Sequence, residues 1–215
     1  MTSLPNIVIL ISGRGSNMRS IVEANLPIHI AAVISNEPDA AGLAFAQDKG
    51  IPTRIVDHRS YATRLEYDRQ LIDVIEEYHP GLVVLAGFMR ILTPTFVNHF
   101  TRRLINIHPS ILPSFTGLHT HKRAIESGVK VHGCTVHFVT EELDAGPIVA
   151  QAVVPVLSSD NEATLAQRVL KEEHVIYPRV IQWWAQGLLQ WRDKHMVVLP
   201  SDNAEQTLIA PSLNS

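Results

Sequence analysis

Five short apolar runs, separated by stretches with helical spacing, set the architecture of the first half of this chain. The runs are 6–11 (NIVILI), 28–35, 53–56, 82–86 (LVVLA) and 104–107. A β-branched run without polar alternation belongs inside a parallel sheet covered on both faces. Between the runs, helices are expected from the glycine-rich turn at 12–17 to 24, over 40–49, over 61–78 and over 94–100. In the last of these Thr93 would cap and Pro94 would take the first position. The pattern predicts an α/β fold, Rossmann-like and doubly wound, with a mostly parallel sheet and helices on both faces.

The pattern changes after His108. A helix over 119–127 closes at Gly128, and strands over 132–139 and 147–156 follow in succession. Those two are expected to pair antiparallel at an edge of the sheet. A long helix then runs from Asn161 towards Gly187, kinked at Pro178, with Trp183 and Trp184 read as core. Residues 1–200 read as a single domain and 201–215 as a loose polar tail.

Composition removes several function classes. A net charge of -3 argues against a nucleic-acid or membrane-surface binder. One cysteine, Cys134, excludes an internal disulfide and a cysteine-built zinc site. Between its apolar neighbours Cys134 reads as a buried thiol. The N-terminal apolar run is too short for a span and lacks a basic flank, so a cytoplasmic protein is expected. Eleven histidines raise the question of metal. The set lacks HExxH or a facial triad, and His132 and His137 have opposite parity on one strand. No metal site is expected.

Sheets of this kind bind ligands beyond the carboxyl ends of their strands, and the polar and glycine residues gather there. Gly13-Arg14-Gly15-Ser16-Asn17 follows the first strand and opens a helix. Backbone N–H groups and the helix dipole at such a turn can cradle a phosphate. The alternative is a plain tight turn capped by Ser16 or Asn17. Arg64 sits in a first helical turn, where a cation opposes the dipole; either an anion compensates it or it is a solvated surface arginine. The loop 87–92, with Phe88, Met89, Arg90, Ile91 and Leu92, is apolar where connections are normally polar. It should pack inward or line a ligand pocket. Asn106 and His108 are two apart on a strand and point the same way. Asp144 lies in the turn before Gly146-Pro147. A Ser110 nucleophile would need a GxSxG elbow, which is absent. Acid/base and oxyanion chemistry by Asn106, His108 and Asp144 remains, without a covalent intermediate.

HPSILPSFTG, HGCTVHFV and LDAGPI together resemble the folate-dependent formyltransferases, and ISGRGSN narrows the resemblance to the glycinamide ribonucleotide transformylases. It extends from about Asn6 to about Trp184. The resemblance implies a Rossmann-like fold, no metal, and transfer of a formyl group from 10-formyltetrahydrofolate to the primary amine of glycinamide ribonucleotide. It implies Asn106, His108 and Asp144 as the catalytic set. Gly13, Arg14, Gly15, Ser16 and Asn17 would hold the ribonucleotide phosphate, and Glu173 would orient the amine. Arg64, Met89, Arg90, Ile91, Leu92 and Asn106 would meet the folate, with Thr140, Glu141, Glu142, Leu143 and Asp144. The chain is expected to be a monomer or weak homodimer. Two departures stand out: Leu170-Lys171-Glu172 replaces a more polar stretch, and Arg14 replaces an asparagine. A formyltetrahydrofolate hydrolase and a non-catalytic folate- or nucleotide-binding module are the rival readings. The phosphate loop speaks against the hydrolase, as does the lack of a regulatory domain ahead of Asn6.

Overall fold

A computed structural model describes residues 4–193 and 195–198. The tail expected over 201–215 lies outside the described residues. Two compact units divide the chain: Met1–Asn106 with Phe138–Glu142, and Ile107–His137 with Leu143–Ser215.

The first unit is built from the alternating half of the chain. Its elements are β1 (Asn6–Ile11), α1 (Ser16–Glu23), β2 (His29–Ser35), α2 (Ala41–Asp48), β3 (Thr53–Ile55), α3 (Arg64–Glu76), β4 (Leu82–Leu85), α4 (Pro94–His99) and the start of β5 (Leu104–His108). The strands lie in the order β3-β2-β1-β4-β5 and every pair is parallel. That order reverses direction at β1, the strand that feeds the glycine turn. Residues 7–11 of β1 and all of β4 are buried, as their unbroken apolar runs require. Val8, Leu10, Ile34, Leu71, Ile75 and Phe96 share one buried cluster.

Helix α3 starts three residues later than its periodicity predicts. His58–Ser60 forms a separate 3-10 turn capped by Asp57. Thr63 and Glu66 then make a reciprocal capping box, an arrangement worth about 1 kcal/mol. The inner face of α3 carries Tyr67, Leu71 and Ile75, whereas Leu65 is exposed. Thr93 stands at the cap position of α4 but its side chain caps nothing; its backbone N–H instead donates to Asp68 Oδ2 at 2.7 Å. Pro94 does occupy the first turn.

The second unit continues from the end of β5 through β6 (Val131–Phe138) to β7 (Ile148–Pro155), with α5 (Thr120–Glu126) and α6 (Glu162–Ala185). β6 and β7 pair antiparallel, and their register slips between Val136 and His137. Gly133 is required in β6 because the Ala152 carbonyl of β7 lies where a side chain would begin. Helix α6 opens on a capping box between Asn161 and Thr164 and runs through Pro178. Trp183 and Trp184 are half-buried rather than core, because they fall in the last turn of α6. A hairpin of β8 (Leu189–Arg192) and β9 (His195–Val198) closes the described chain; its short strands carry no signal that the sequence pattern reveals. Among the described residues no helix is long and apolar enough to cross a membrane.

Candidate active site

In the first unit the glycine turn leads from β1 into α1. Gly15 is the helix cap with φ +67°, a left-handed conformation that glycine adopts without strain. Neither Ser16 nor Asn17 is the cap, and α1 has no side-chain cap bond. The uncapped first turn is the arrangement that favours an anion. Gly42 of α2 braces the turn from behind: its N–H donates to the Gly13 carbonyl at 3.0 Å. A Cβ at Gly42 would lie 2.6 Å from the end of Ile11 and 3.2 Å from that carbonyl. A Cβ at Gly13 would meet nothing within 4 Å. Arg14 is exposed, Ser16 half-buried and Asn17 buried.

Ser12 ties this turn to the loop after β4. Its Oγ donates to Asn36 Oδ1 at 2.5 Å and accepts the Met89 N–H at 2.8 Å. The apolar loop 87–92 divides as its composition allows. Phe88 packs into the core, while Met89 and Ile91 are 73% and 65% exposed. Arg90 stacks 4.8 Å above the Tyr67 ring, and Leu92 packs on the core. Arg64 is exposed. Thr140, Glu141 and Glu142 are exposed as well, with Glu141 accepting from Asn98 at 2.6 Å. Asn106, half-buried on β5, projects on the same side of that strand as His108.

In the second unit the structure brings His108 and Asp144 together. His108 is 6% exposed. Its Nε2 lies 3.0 Å from the Phe115 carbonyl; a carbonyl only accepts, so Nε2 carries the hydrogen. Nδ1 then faces Asp144 Oδ2 at 3.5 Å. The same carboxylate oxygen accepts the Gly117 N–H at 2.8 Å, and its other oxygen lies 4.0 Å from His137 Nε2. Asp144 sits at φ +54°, a left-handed turn position that aspartate tolerates better than most residues. Leu143 beside it is 57% exposed.

The segment after His108 is clamped rather than loose. Thr135 Oγ1 donates to the Ser110 carbonyl at 2.7 Å and accepts the Leu112 N–H at 3.0 Å. Gln151 Nε2 donates to the Leu112 carbonyl at 2.8 Å, and Thr120 Oγ1 to that of Pro109 at 2.6 Å. Prolines keep this stretch out of helix and sheet, and these bonds supply its partners instead.

Glu173 is buried in α6. Burial pushes the Cys134 thiol up to about 12, and the Glu173 charge adds to it, so Cys134 is a protonated core thiol. His132 meets the rings of Phe115 and His121, whereas His137 meets Asp144, in keeping with their opposite strand parity. Among the described residues no three His, Cys, Asp or Glu side chains are placed to share a metal ion.

His137, the Phe115 carbonyl and the Gly117 N–H are contacts that the linear sequence does not single out. Two of them are backbone groups, which no residue type announces. The third depends on β6 running past the turn that carries Asp144.

The formyl transferase family matches residues 5–181. The chain belongs to the formyl transferase family. The phosphoribosylglycinamide formyltransferase of Escherichia coli K12 is 50% identical over 192 residues, covering 87% of this formyl transferase and 91% of the relative. The structure of the phosphoribosylglycinamide formyltransferase of Coxiella burnetii in complex with CHES superposes with a TM-score of 0.87 at 46% identity, covering 91% and 93% of the two chains. A formyltetrahydrofolate deformylase from Pseudomonas syringae also superposes, with a TM-score of 0.84, at 28% identity and over 66% of its own length. The fold expected from the strand pattern is therefore the fold of this family.

Proposed function

We propose that this formyl transferase moves the formyl group of 10-formyltetrahydrofolate to the primary amine of glycinamide ribonucleotide, a step of de novo purine biosynthesis, by direct attack. The observation that carries the reading is the His108–Asp144 pair, inside a chain half identical to a phosphoribosylglycinamide formyltransferase. Attack of the amine on the formyl carbon gives a tetrahedral adduct whose oxygen becomes anionic. Asn106 donates to that oxygen, and protonated His108 balances its charge. The 3.5 Å contact to Asp144 is longer than a charge-assisted hydrogen bond. The Nδ1 proton is thus kept near the carboxylate without being committed to it; as the formyl carbon's bond to the folate nitrogen breaks, His108 passes a proton through a water to that nitrogen and regains one from the attacking amine, leaving the formamide. Neither a metal nor a covalent enzyme adduct takes part in this scheme.

Gly13, Arg14, Gly15, Ser16 and Asn17 hold the ribonucleotide phosphate, and Glu173 orients the amine. Met89 and Ile91 offer apolar surface to the folate ring, with Arg90, Leu92, Thr140, Glu141, Glu142 and Leu143 around it and Arg64 meeting its acidic part. The family match runs through both compact units, which supports treating residues 1–200 as one functional domain. A cytoplasmic monomer or weak homodimer suits two small soluble substrates.

The second reading is hydrolysis of formyltetrahydrofolate, favoured by the likeness to the deformylase. Identity of 50% to the transferase against 28% to the deformylase favours transfer. The test is loss of 10-formyltetrahydrofolate with and without glycinamide ribonucleotide. Loss only with the amine is expected. Equal loss without it means a hydrolase, and no loss in either case means a binding module.

A further inference from the structure

Two backbone groups from one short loop hold the His108–Asp144 pair: the Phe115 carbonyl on His108 Nε2 and the Gly117 N–H on Asp144 Oδ2. That loop has a demanding shape. Phe115, Gly117 and His119 have φ of 56°, 74° and 56°. A bulky phenylalanine rarely adopts such a value, so contacts from outside are needed to maintain the loop. Arg123 supplies them. From α5 its Nη1 donates to the Thr116 carbonyl at 2.6 Å and reaches the Leu118 carbonyl at 3.4 Å. Its guanidinium also lies 5.6 Å from the Phe115 ring centroid. One planar cation therefore grips the carbonyls on both sides of Gly117 and covers the ring of Phe115.

We propose that Arg123 is a positioning residue for formyl transfer, fixing the Phe115–Leu118 loop so that His108 and Asp144 keep their mutual orientation. The proposal deepens the transfer reading and rests on it. Arg123 is itself exposed, so it acts through the loop and not by touching the reacting atoms. A lysine at this position keeps a charged donor but has no planar group to lay over the Phe115 ring, and should restore the grip only in part.

The test compares wild type, Arg123→Met and Arg123→Lys. Thermal melting of both variants should remain close to wild type. In steady-state assays Arg123→Met should lower kcat roughly tenfold with both KM values little changed; Arg123→Lys should fall between it and wild type. A second readout needs no turnover: the His108 Nε2–H proton resonance in protein with labelled histidine. Its hydrogen bond to Phe115 should protect it from exchange in wild type, and Arg123→Met should lose that protection. Unchanged kcat and unchanged protection in both variants overturn the proposal. So does an equal kcat loss in both variants with His108 protection intact. If wild type fails to transfer formyl at all, the function reading has failed, and the proton resonance still decides whether Arg123 holds the loop.

Discussion

Asp144 Oδ2 serves two partners at once, accepting the Gly117 N–H at 2.8 Å while facing His108 Nδ1 at 3.5 Å. The hydrogen bond fixes where the carboxylate points, and the ring contact uses the direction so fixed. With Nε2 held by the Phe115 carbonyl, the imidazole is constrained at both nitrogens. A ring so constrained meets the requirement for electrostatic preorganisation that the proposed role in formyl transfer places on it.

The glycine turn makes a prediction that separates structure from binding. A side chain at Gly13 meets open space, so Gly13→Val should melt like wild type. If the turn receives phosphate, the variant should raise the KM for the ribonucleotide roughly tenfold or more with kcat little changed, the pattern of lost ground-state binding. Gly42→Ala should lower stability as well, because its Cβ is crowded by Ile11 and by the Gly13 carbonyl. Calorimetric titration of both variants with the ribonucleotide checks this; unchanged affinity in Gly13→Val would refute the phosphate role.

Arg14 is the charge that the glycine turn adds. It is exposed, so any contact to phosphate is screened and modest, on the order of 1 kcal/mol. Arg14→Asn should weaken ribonucleotide binding a few-fold and flatten its dependence on salt. Titrations at low and high ionic strength read this directly, and an unaltered salt slope would remove Arg14 from the phosphate site.

His132 predicts how stability responds to acid. Burial lowers its pKa to about 4, with the neighbouring His121 adding to the shift. The folded ring thus resists a proton that the unfolded chain takes up near 6.5. Its contribution to stability is complete above about pH 6.5 and is lost as pH falls towards 4. His132→Phe keeps the ring packing and removes the titration, so its melting temperature should depend less on pH across that window. Parallel melting curves for wild type and variant would contradict the assignment.

Much of this was legible from residue types alone. NIVILI and LVVLA can hardly be anything but buried parallel strands, and Asn106 and His108 share a face because a strand repeats every two residues. Asp144 was visible as an acid in a turn. The start of α3 was harder, since helical spacing extends back through Tyr61, although Thr63 and Glu66 carry the capping-box spacing. At Thr93 the residue type promised a side-chain cap that the structure lacks, and its backbone bond to Asp68, 25 residues earlier, was hidden. The groups that orient His108 and Asp144 were hidden for a different reason. A carbonyl at Phe115 or an N–H at Gly117 exists at nearly every position, and only the left-handed turns aim them.

The central claim is that His108 and Asp144 act as one unit, and a double-mutant cycle tests it most directly. Turnover would be measured for His108→Ala, Asp144→Ala and the double variant, with ribonucleotide binding as a control. Each single change should reduce kcat by about two to three orders of magnitude, and the double variant should be scarcely worse than either. Losses that multiply in the double variant, or near-normal turnover in either single one, would contradict the account.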